Sequence, residues 1–149
     1  MGMLMEGVLL TPLAVIPTPG GDVLHGMKKT DPGFIEFGEA YFSTIHYQEI
    51  KAWKKHLRMT LNLIVPQGEV RFVLHDDREY SSSFGKTIAI SLSREHNYQR
   101  LTVPPDIWMA FQGLVQPESI LLNLADMLHD PAEVERCELA NFSYDWETI

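Results

Sequence analysis

The sequence predicts an all-β protein, a sandwich, barrel or jelly roll, with one short helix near its C-terminus. Alternating polar and apolar residues form about eight runs, spaced at roughly 8 to 12 residues, with Gly, Pro, Asp and Ser between them. Helical periodicity is scarce. Of these architectures we expect a β roll. A chain of 149 residues is long enough for one core, so we predict a single domain over residues 1–149.

The predicted strands are taken from the alternating runs, and a PQGE turn separates the third strand from the fourth. In chain order the strands are EAYFSTIHY, EIKAWKKH, MTLNLIVP, VRFVLHDD, KTIAISLS, QRLTVP, IWMAFQGL and SILLNLAD. The predicted helix lies in HDPAEVERCEL. There Asp130 can cap the first turn, Pro131 suits the first helical position, and Glu133 completes a capping box.

Composition and charge limit the classes of function. The chain has 12 Lys and Arg against 20 Asp and Glu, a net charge of −8, which repels a nucleic-acid backbone. No apolar run approaches the roughly 18 residues of a membrane span, and the N-terminus does not resemble a secretory signal. A single cysteine allows no internal disulfide. We therefore expect a cytoplasmic protein that binds neither nucleic acid nor membranes.

The sequence predicts no metal site and no cofactor. Its six histidines do not have the spacing of metal ligands. The glycines of PTPGGDV indicate a turn, because neither phosphate-loop spacing occurs. Cys137 falls on the predicted helix, and we interpret it as a structural residue.

One dense basic cluster, Lys51, Lys54, Lys55, His56 and Arg58, lies at the second predicted strand. Lys54 and His56 are two residues apart, so their side chains point to the same face of a strand. A base and a cation so placed suit proton abstraction next to a ketone. On an interior face a desolvated Lys54 would lose its proton more easily. On an outer face both would be solvated and inert, and the spacing alone favours this second alternative.

Six segments, in this order, resemble the dTDP-4-dehydrorhamnose 3,5-epimerase family of RmlC-like cupins and are also similar to sugar-nucleotide 3,4-ketoisomerases. They are GDVLHGMKK, FGEAYFSTI, IKAWKKH, DDREYSSSFG, VPPDIWMAF and DMLHDPAEVER. The resemblance covers nearly the whole chain. It implies a cupin jelly roll and a homodimer that acts without metal or cofactor on a nucleotide-linked 4-keto-6-deoxyhexose in polysaccharide biosynthesis. In that family a histidine removes the proton next to the ketone, a lysine stabilises the enolate, and a tyrosine protonates the other face.

The resemblance also identifies catalytic candidates. Lys54 stands where the family has its catalytic histidine, and His56 matches the second histidine of the ketoisomerases. We expect these two residues to carry catalysis. The family's tyrosine falls near Leu122 and Asn123, so Asn123 is a candidate hydrogen-bond donor, and Tyr41 is a candidate substitute proton donor.

Further residues are candidates for binding the substrate: Lys51, Arg58, Asn62, Arg78, Trp108, Asn123, Glu39 and Tyr41. Cations would hold the diphosphate, with Arg71 as one more candidate. Arg78 could equally pair with a neighbouring carboxylate, Trp108 could pack in the core, and Asn62 could pair locally. The family's orienting aspartate would lie beyond residue 149, and we expect Glu39 or Asp76 to take its place.

Three functions remain open at the level of the sequence. The first is epimerisation of a 4-keto-deoxyhexose nucleotide, with uptake of solvent deuterium at C3 or C5. The second is ketoisomerisation, which moves the carbonyl between C3 and C4 with little exchange at C5. The third is a cupin that binds a sugar nucleotide without turning it over.

Overall fold

The computed structural model describes residues 4–148 and confirms the all-β class. Within these residues the chain forms twelve strands and two 3-10 turns, and the described part contains no α-helix. The strands are β1 (Leu9–Pro12), β2 (Val15–Thr18), β3 (Gly21–Leu24), β4 (Glu39–His46), β5 (Ile50–His56), β6 (Leu61–Gln67), β7 (Glu69–His75), β8 (Thr87–Ser93), β9 (Gln99–Val103), β10 (Trp108–Gly113), β11 (Glu118–Ala125) and β12 (Val134–Arg136).

The strands form two five-stranded antiparallel sheets, the arrangement of a cupin jelly roll. The first sheet has the order β1-β9-β6-β11-β4 and the second the order β12-β5-β10-β7-β8, while β2 and β3 form a separate hairpin. The eight predicted strands correspond to β4 through β11, so the alternating pattern located both sheets.

The main core lies between the two sheets. β11 alternates between partly buried and buried positions along its whole length, and Leu121 is one of its inward residues. Leu63 and Leu101 join it from the first sheet, and Phe72 and Leu74 come from the second. Alternation along β11 thus places one face of this strand inside the roll.

The predicted turn between β6 and β7 is confirmed, and it depends on Gly68. This residue has φ +86°, a conformation that L side chains rarely adopt. A Cβ atom there would also lie 2.2 Å from Oγ of Ser119. The Ser119 hydroxyl in turn accepts the backbone N–H of Glu69 at 3.0 Å, which ties β11 to the start of β7.

The predicted C-terminal helix is a single 3-10 turn, Pro131–Glu133. Its cap is as expected, because the Asp130 side chain accepts the N–H of Ala132 at 3.0 Å and proline occupies the start of the turn. The chain then continues as β12, which pairs with β5 and forms the edge strand of the second sheet. Pairing with β5 satisfies the backbone N–H and C=O groups of β12, so the helix does not extend. Cys137 therefore follows a strand instead of lying on a helix.

The C-terminal segment packs on the outer face of the second sheet. Trp53 and Trp108 form a second apolar cluster with Phe142 and Trp146. The Trp53 indole N–H donates to the carbonyl of Leu139 at 2.9 Å. This cluster lies behind β5, because the neighbouring residues of that strand face the inside of the roll. None of the helical turns in residues 4–148 has the length and apolar character needed to cross a membrane.

Candidate active site

A cavity of about 140 Å³ lies between the two sheets and adjoins a wider mouth of about 370 Å³. Three residues, Tyr41, Lys54 and His56, line both spaces. Glu39 and His129 are added at the mouth. The mouth alone falls within the size range of small-ligand sites in proteins, roughly 300 to 1,000 Å³.

One wall of the cavity is the inner face of β5, and it carries three polar side chains, Lys51, Lys54 and His56. Lys54 and His56 share this face because they are two residues apart. The outer-face alternative, which the spacing alone favours, is therefore wrong. Lys51 reaches the same face through a bulge. On β10, Met109 and Phe111 are two residues apart. On β5, the residues that pair with them, Lys54 and Lys51, are three apart, so β5 carries the extra residue.

The ring of His56 is held by Glu133. Nδ1 of His56 lies 2.5 Å from Oε2 of Glu133. Glu133 is buried, with only 2% of its surface exposed. The other carboxylate oxygen, Oε1, accepts the backbone N–H groups of Met59 at 2.8 Å and Arg58 at 3.2 Å. Both oxygens are thus fixed, one by the backbone after β5 and one by the imidazole.

The surroundings keep His56 neutral and Glu133 ionised. Burial lowers the pKa of His56 and outweighs the hydrogen bond that the ring donates to Glu133, which acts to raise this pKa. Burial acts to raise the pKa of Glu133, but the hydrogen bonds from His56 and from the Met59 and Arg58 backbone together hold it below its usual range. A carboxylate at Nδ1 requires the ring proton on Nδ1, so Nε2 is the unprotonated nitrogen.

Lys54 is half-buried beside this imidazole. Burial lowers its pKa, and the charges of Arg136 and Lys51 lower it further, while Glu133 acts in the opposite direction. Arg136 pairs with Lys54 across the β12–β5 ladder. The wall therefore combines a neutral imidazole with a cation whose proton is held less firmly than in water.

The facing wall comes from the first sheet. Tyr41 and Ser43 of β4 and Asn123 of β11 line the cavity. Nδ2 of Asn123 donates to the hydroxyl oxygen of Tyr41 at 3.0 Å. Oδ1 of Asn123 accepts the backbone N–H of Asn62 at 3.0 Å. The remaining surface is apolar and is formed by Leu61, Leu63, Met109, Phe111 and Leu121.

Two other predicted residues lie near the cavity without entering it. Glu39 stands at the mouth, where its carboxylate accepts the backbone N–H of His129 at 2.6 Å. Arg58 is exposed outside the cavity and forms an ion pair with Asp130 at 2.8 Å. The expectation that Glu39 or Asp76 orients His56 is wrong, because Glu133 occupies Nδ1 of the ring.

The structure places Arg78 and Trp108 away from the cavity. Nε of Arg78 donates to Oδ1 of buried Asp76 at 2.9 Å, so Arg78 ties together the loop after β7. The indole N–H of Trp108 donates to Asp77 at 2.8 Å, and its ring packs in the cluster beneath the C-terminal segment. Both side chains therefore have local partners within the described residues, as the alternatives in the sequence analysis allowed.

Asn62 and Arg71 also lie outside the cavity. Nδ2 of Asn62 donates to the carbonyl of Gly33 at 3.1 Å, and its Oδ1 accepts the hydroxyl of Thr102 at 2.6 Å. Asn62 alternates with the inward residues Leu61 and Leu63, so its side chain is on the opposite face of β6. Arg71 donates to Gln112 at 2.6 Å and to carbonyls of the C-terminal segment.

Glu133 is a site residue that the sequence did not reveal. Its place in the sequence predicts a capping box, whereas its carboxylate lies against the imidazole of His56, 77 positions earlier in the chain. A buried histidine needs a partner that orients its ring, which was the available signal. This signal does not indicate which residue is the partner. Ser43 and His129 were missed for the same reason, since only the fold brings them to the cavity.

Comparison with known proteins identifies the family. No protein-family model matches the chain. The crystal structure of a dTDP sugar isomerase from Desulfovibrio desulfuricans G20 is 36% identical, covers 97% of this chain and 95% of its own, and has a TM-score of 0.92. This chain belongs to the RmlC-like dTDP-sugar isomerase family. The family assignment agrees with the resemblance noted in the sequence.

Two other relatives extend the comparison of this RmlC-like protein. Agl13 of Haloferax volcanii, named a probable low-salt glycan biosynthesis epimerase, is 29% identical over 92 residues, which are 61% of this chain and 58% of Agl13. The match thus spans little more than half the length of Agl13. NovW of Streptomyces spheroides, a 4-keto-6-deoxy sugar epimerase, has a TM-score of 0.87 at 17% identity, covers 99% of this chain and 78% of its own, and shares the fold.

Proposed function

We propose that this protein is an epimerase of a nucleotide-linked 4-keto-6-deoxyhexose in the biosynthesis of deoxysugar-containing glycans. The observation that carries the proposal is the pairing of an oriented, neutral His56 with Lys54 on one wall of a cavity that has Tyr41 on the facing wall. A base and an acid on opposite walls suit inversion at carbon. The names of the dTDP sugar isomerase and of Agl13 support the substrate class and the pathway.

The proposed reaction begins at His56. Its Nε2 takes the proton from the carbon next to the ketone, and the electron pair of the broken C–H bond moves to the ketone oxygen. The Lys54 ammonium stabilises the resulting enolate. Tyr41 then donates its proton to the opposite face of the same carbon, which inverts it. Solvent restores the tyrosine proton and removes the proton from the imidazolium.

The shape and polarity of the cavity support a 6-deoxy sugar. Its apolar surface of leucine, methionine and phenylalanine side chains suits a methyl group and offers no partner to a hydroxyl there. The diphosphate would be held by cations of β5 and β12, with Lys51 on the cavity wall and Arg136 beside Lys54. This arrangement uses neither Arg78 nor Trp108.

The proposal is tested by incubating the protein with dTDP-4-keto-6-deoxyglucose in D2O and following the C3 and C5 protons by NMR. We expect loss of at least one of these signals together with the appearance of an inverted product. The His56→Asn variant should lose both effects, whereas Lys55→Gln, one residue away on the outer face of β5, should keep both. Lys55 is a matched control because it pairs with Glu135 at 3.5 Å outside the cavity.

Other outcomes of this experiment would identify the remaining functions. A carbonyl that moves from C4 to C3, with C5 untouched, would identify a ketoisomerase. Saturation transfer from the protein to the sugar nucleotide, without exchange or conversion, would identify a binding protein. Either outcome would contradict the proposed epimerase.

We also propose that the protein is a cytoplasmic homodimer. β4 is an edge strand of the first sheet, and its Phe42 is 67% exposed. Phe37 and Ile35 are exposed nearby in the chain. An apolar edge strand of this kind favours isologous pairing with a second copy. Light scattering should give the mass of a dimer, and Phe42→Glu should shift the mass toward that of a monomer. A monomeric wild-type protein would contradict the dimer.

A further inference from the structure

We propose that Asn123 is a positioning residue, which turns the hydroxyl proton of Tyr41 into the cavity. From the sequence, Asn123 is expected to bind the substrate. Its side chain, however, has protein partners at both ends, Asn62 at Oδ1 and Tyr41 at Nδ2. This inference rests on the proposed function, in which Tyr41 delivers the second proton.

The orientation of the Asn123 amide follows from its partner on β6. The backbone N–H of Asn62, at 3.0 Å, can only donate, so the oxygen of the Asn123 side chain must face it. The NH2 group then faces Tyr41, 3.0 Å from the hydroxyl oxygen. An amide NH2 group can only donate, so the Tyr41 oxygen accepts this bond. The tyrosine proton must therefore point away from Asn123.

The support behind Asn123 is rigid. Asn123 is only 2% exposed and pairs with Leu63 in the β6–β11 ladder. The side chain of Asn62 is held on the other face of β6 by Gly33 and Thr102, at 3.1 Å and 2.6 Å. A rotation of the Asn123 amide would place its NH2 group against a backbone N–H and leave two buried donors facing each other. The donor to Tyr41 is thus fixed in place.

This hydrogen bond has two chemical consequences for proton delivery. It leaves the hydroxyl proton of Tyr41 directed elsewhere, and Tyr41 lines both the cavity and its mouth. It also provides an N–H donor to the phenolate oxygen that remains after the proton has been transferred to carbon. A donor at this position favours Tyr41 as an acid, whereas an acceptor would draw the proton away from the substrate.

The variant Asn123→Asp tests the inference, because it keeps the size of the side chain and the contact with the Asn62 N–H but replaces the donor with an acceptor. His56 would still remove the substrate proton and return a deuteron to the same face. In D2O we therefore expect proton exchange within about threefold of wild type, with inversion reduced by about 10²-fold or more. Tyr41→Phe should give the same separation of exchange from inversion, and the double variant should be no worse than either single variant.

Two further variants keep the test decisive. Thr44→Ala, an exposed change on the outer face of the same strand, should retain both exchange and inversion. Asn123→Ala removes the donor without adding a charge and should also lose more inversion than exchange. Wild-type inversion in either Asn123 variant, or equal loss of exchange and inversion in both, would overturn the inference. A wild-type protein that neither exchanges nor inverts would instead contradict the proposed function, and the inference with it.

Discussion

Nδ1 of His56 lies 2.5 Å from Oε2 of Glu133, although the two residues are 77 positions apart in the chain. The contact forms because β12, which follows Glu133 directly, pairs with β5, which ends at His56. Since Oε1 of Glu133 is held by two backbone N–H groups, the carboxylate cannot turn away from the ring. The C-terminal segment thus sets the tautomer of the imidazole in the cavity.

The variant Glu133→Gln should reduce kcat by about 10²- to 10⁴-fold. The backbone N–H groups of Met59 and Arg58 require an oxygen at the Oε1 position, so the new NH2 group must face His56. Nδ1 would then accept, the ring proton would move to Nε2, and the base would be lost. Turnover of the 4-keto sugar measures the effect, and Glu135→Gln, an exposed neighbour, is the control. A loss below about tenfold would contradict this role.

The pKa of His56 predicts the acid limb of the pH profile. Burial holds this pKa below the ordinary value of about 6.5, so the neutral base persists to lower pH than for an exposed histidine. We expect kcat/KM to fall only as the pH drops through this lowered pKa. In Glu133→Gln the residual activity should have an acid limb at still lower pH, because the interaction that raises the pKa of His56 is removed. A wild-type midpoint above pH 6.5 would be inconsistent with a buried, neutral base.

Lys54 and His56 should act as one unit in catalysis. Each of the variants Lys54→Ala and His56→Ala should lose most activity, about 10²-fold or more, because the base and the cation serve the same enolate. The double variant should be no worse than either single variant. Steady-state kinetics of the three proteins measures this, with Lys55→Ala as the control on the outer face. Normal turnover in both single variants would mean that the reaction occurs elsewhere.

Most of the sheet structure could be predicted from sequence, because β4 to β11 have five to eight residues each, enough for a β pattern to be recognised. The short strands β1, β2, β3 and β12 have too few residues for alternation to be recognised. The helix over residues 129–139 was overpredicted for a related reason. A capping residue followed by proline starts a 3-10 turn equally well, and pairing of β12 with β5 decided how the chain continued.

The candidate site could be predicted only where it follows local periodicity. Lys54 and His56 share a face because they are two residues apart on a regular strand. The same rule would put Lys51 on the opposite face, and only the bulge in β5 brings it into the cavity. Glu133 could not be predicted as a site residue, because only the tertiary fold brings it to His56. The sequence made Arg78 a candidate for binding phosphate. Neighbouring carboxylates are also frequent partners of arginine, and in the structure Arg78 pairs with Asp76.

Lys51 should contribute to the binding of the diphosphate through its charge. The variant Lys51→Gln should weaken binding of dTDP by about tenfold, as expected for the loss of one hydrogen bond between charged groups. The dependence of Kd on salt should become smaller at the same time. Calorimetric titration at two ionic strengths measures both effects. Lys55→Gln is the control, and equal affinities for the two variants would place the diphosphate away from Lys51.

Asp76 should contribute to stability and not to catalysis. It is fully buried, and it accepts hydrogen bonds from Arg78 at 2.9 Å and from the Ser81 and Ser83 hydroxyls at 2.6 Å each. Burial acts to raise its pKa, but these hydrogen bonds together hold the pKa well below the usual range. A carboxyl group of this kind contributes stability above its unfolded pKa of about 3.9, and this contribution is lost as the pH falls through the folded value.

The variant Asp76→Asn should therefore lower the free energy of unfolding at neutral pH by about 3 to 5 kcal/mol, because it leaves the buried guanidinium of Arg78 without its counter-charge. Its unfolding free energy should also depend less on pH between about 2 and 4 than that of wild type, since the depressed carboxyl is gone. Urea denaturation at several pH values measures both effects. Glu79→Gln, an exposed change in the same loop, is the control and should leave the curve unchanged. A loss below about 1 kcal/mol for Asp76→Asn, with the wild-type dependence on pH retained, would mean that the ion pair with Arg78 does not stabilise the fold.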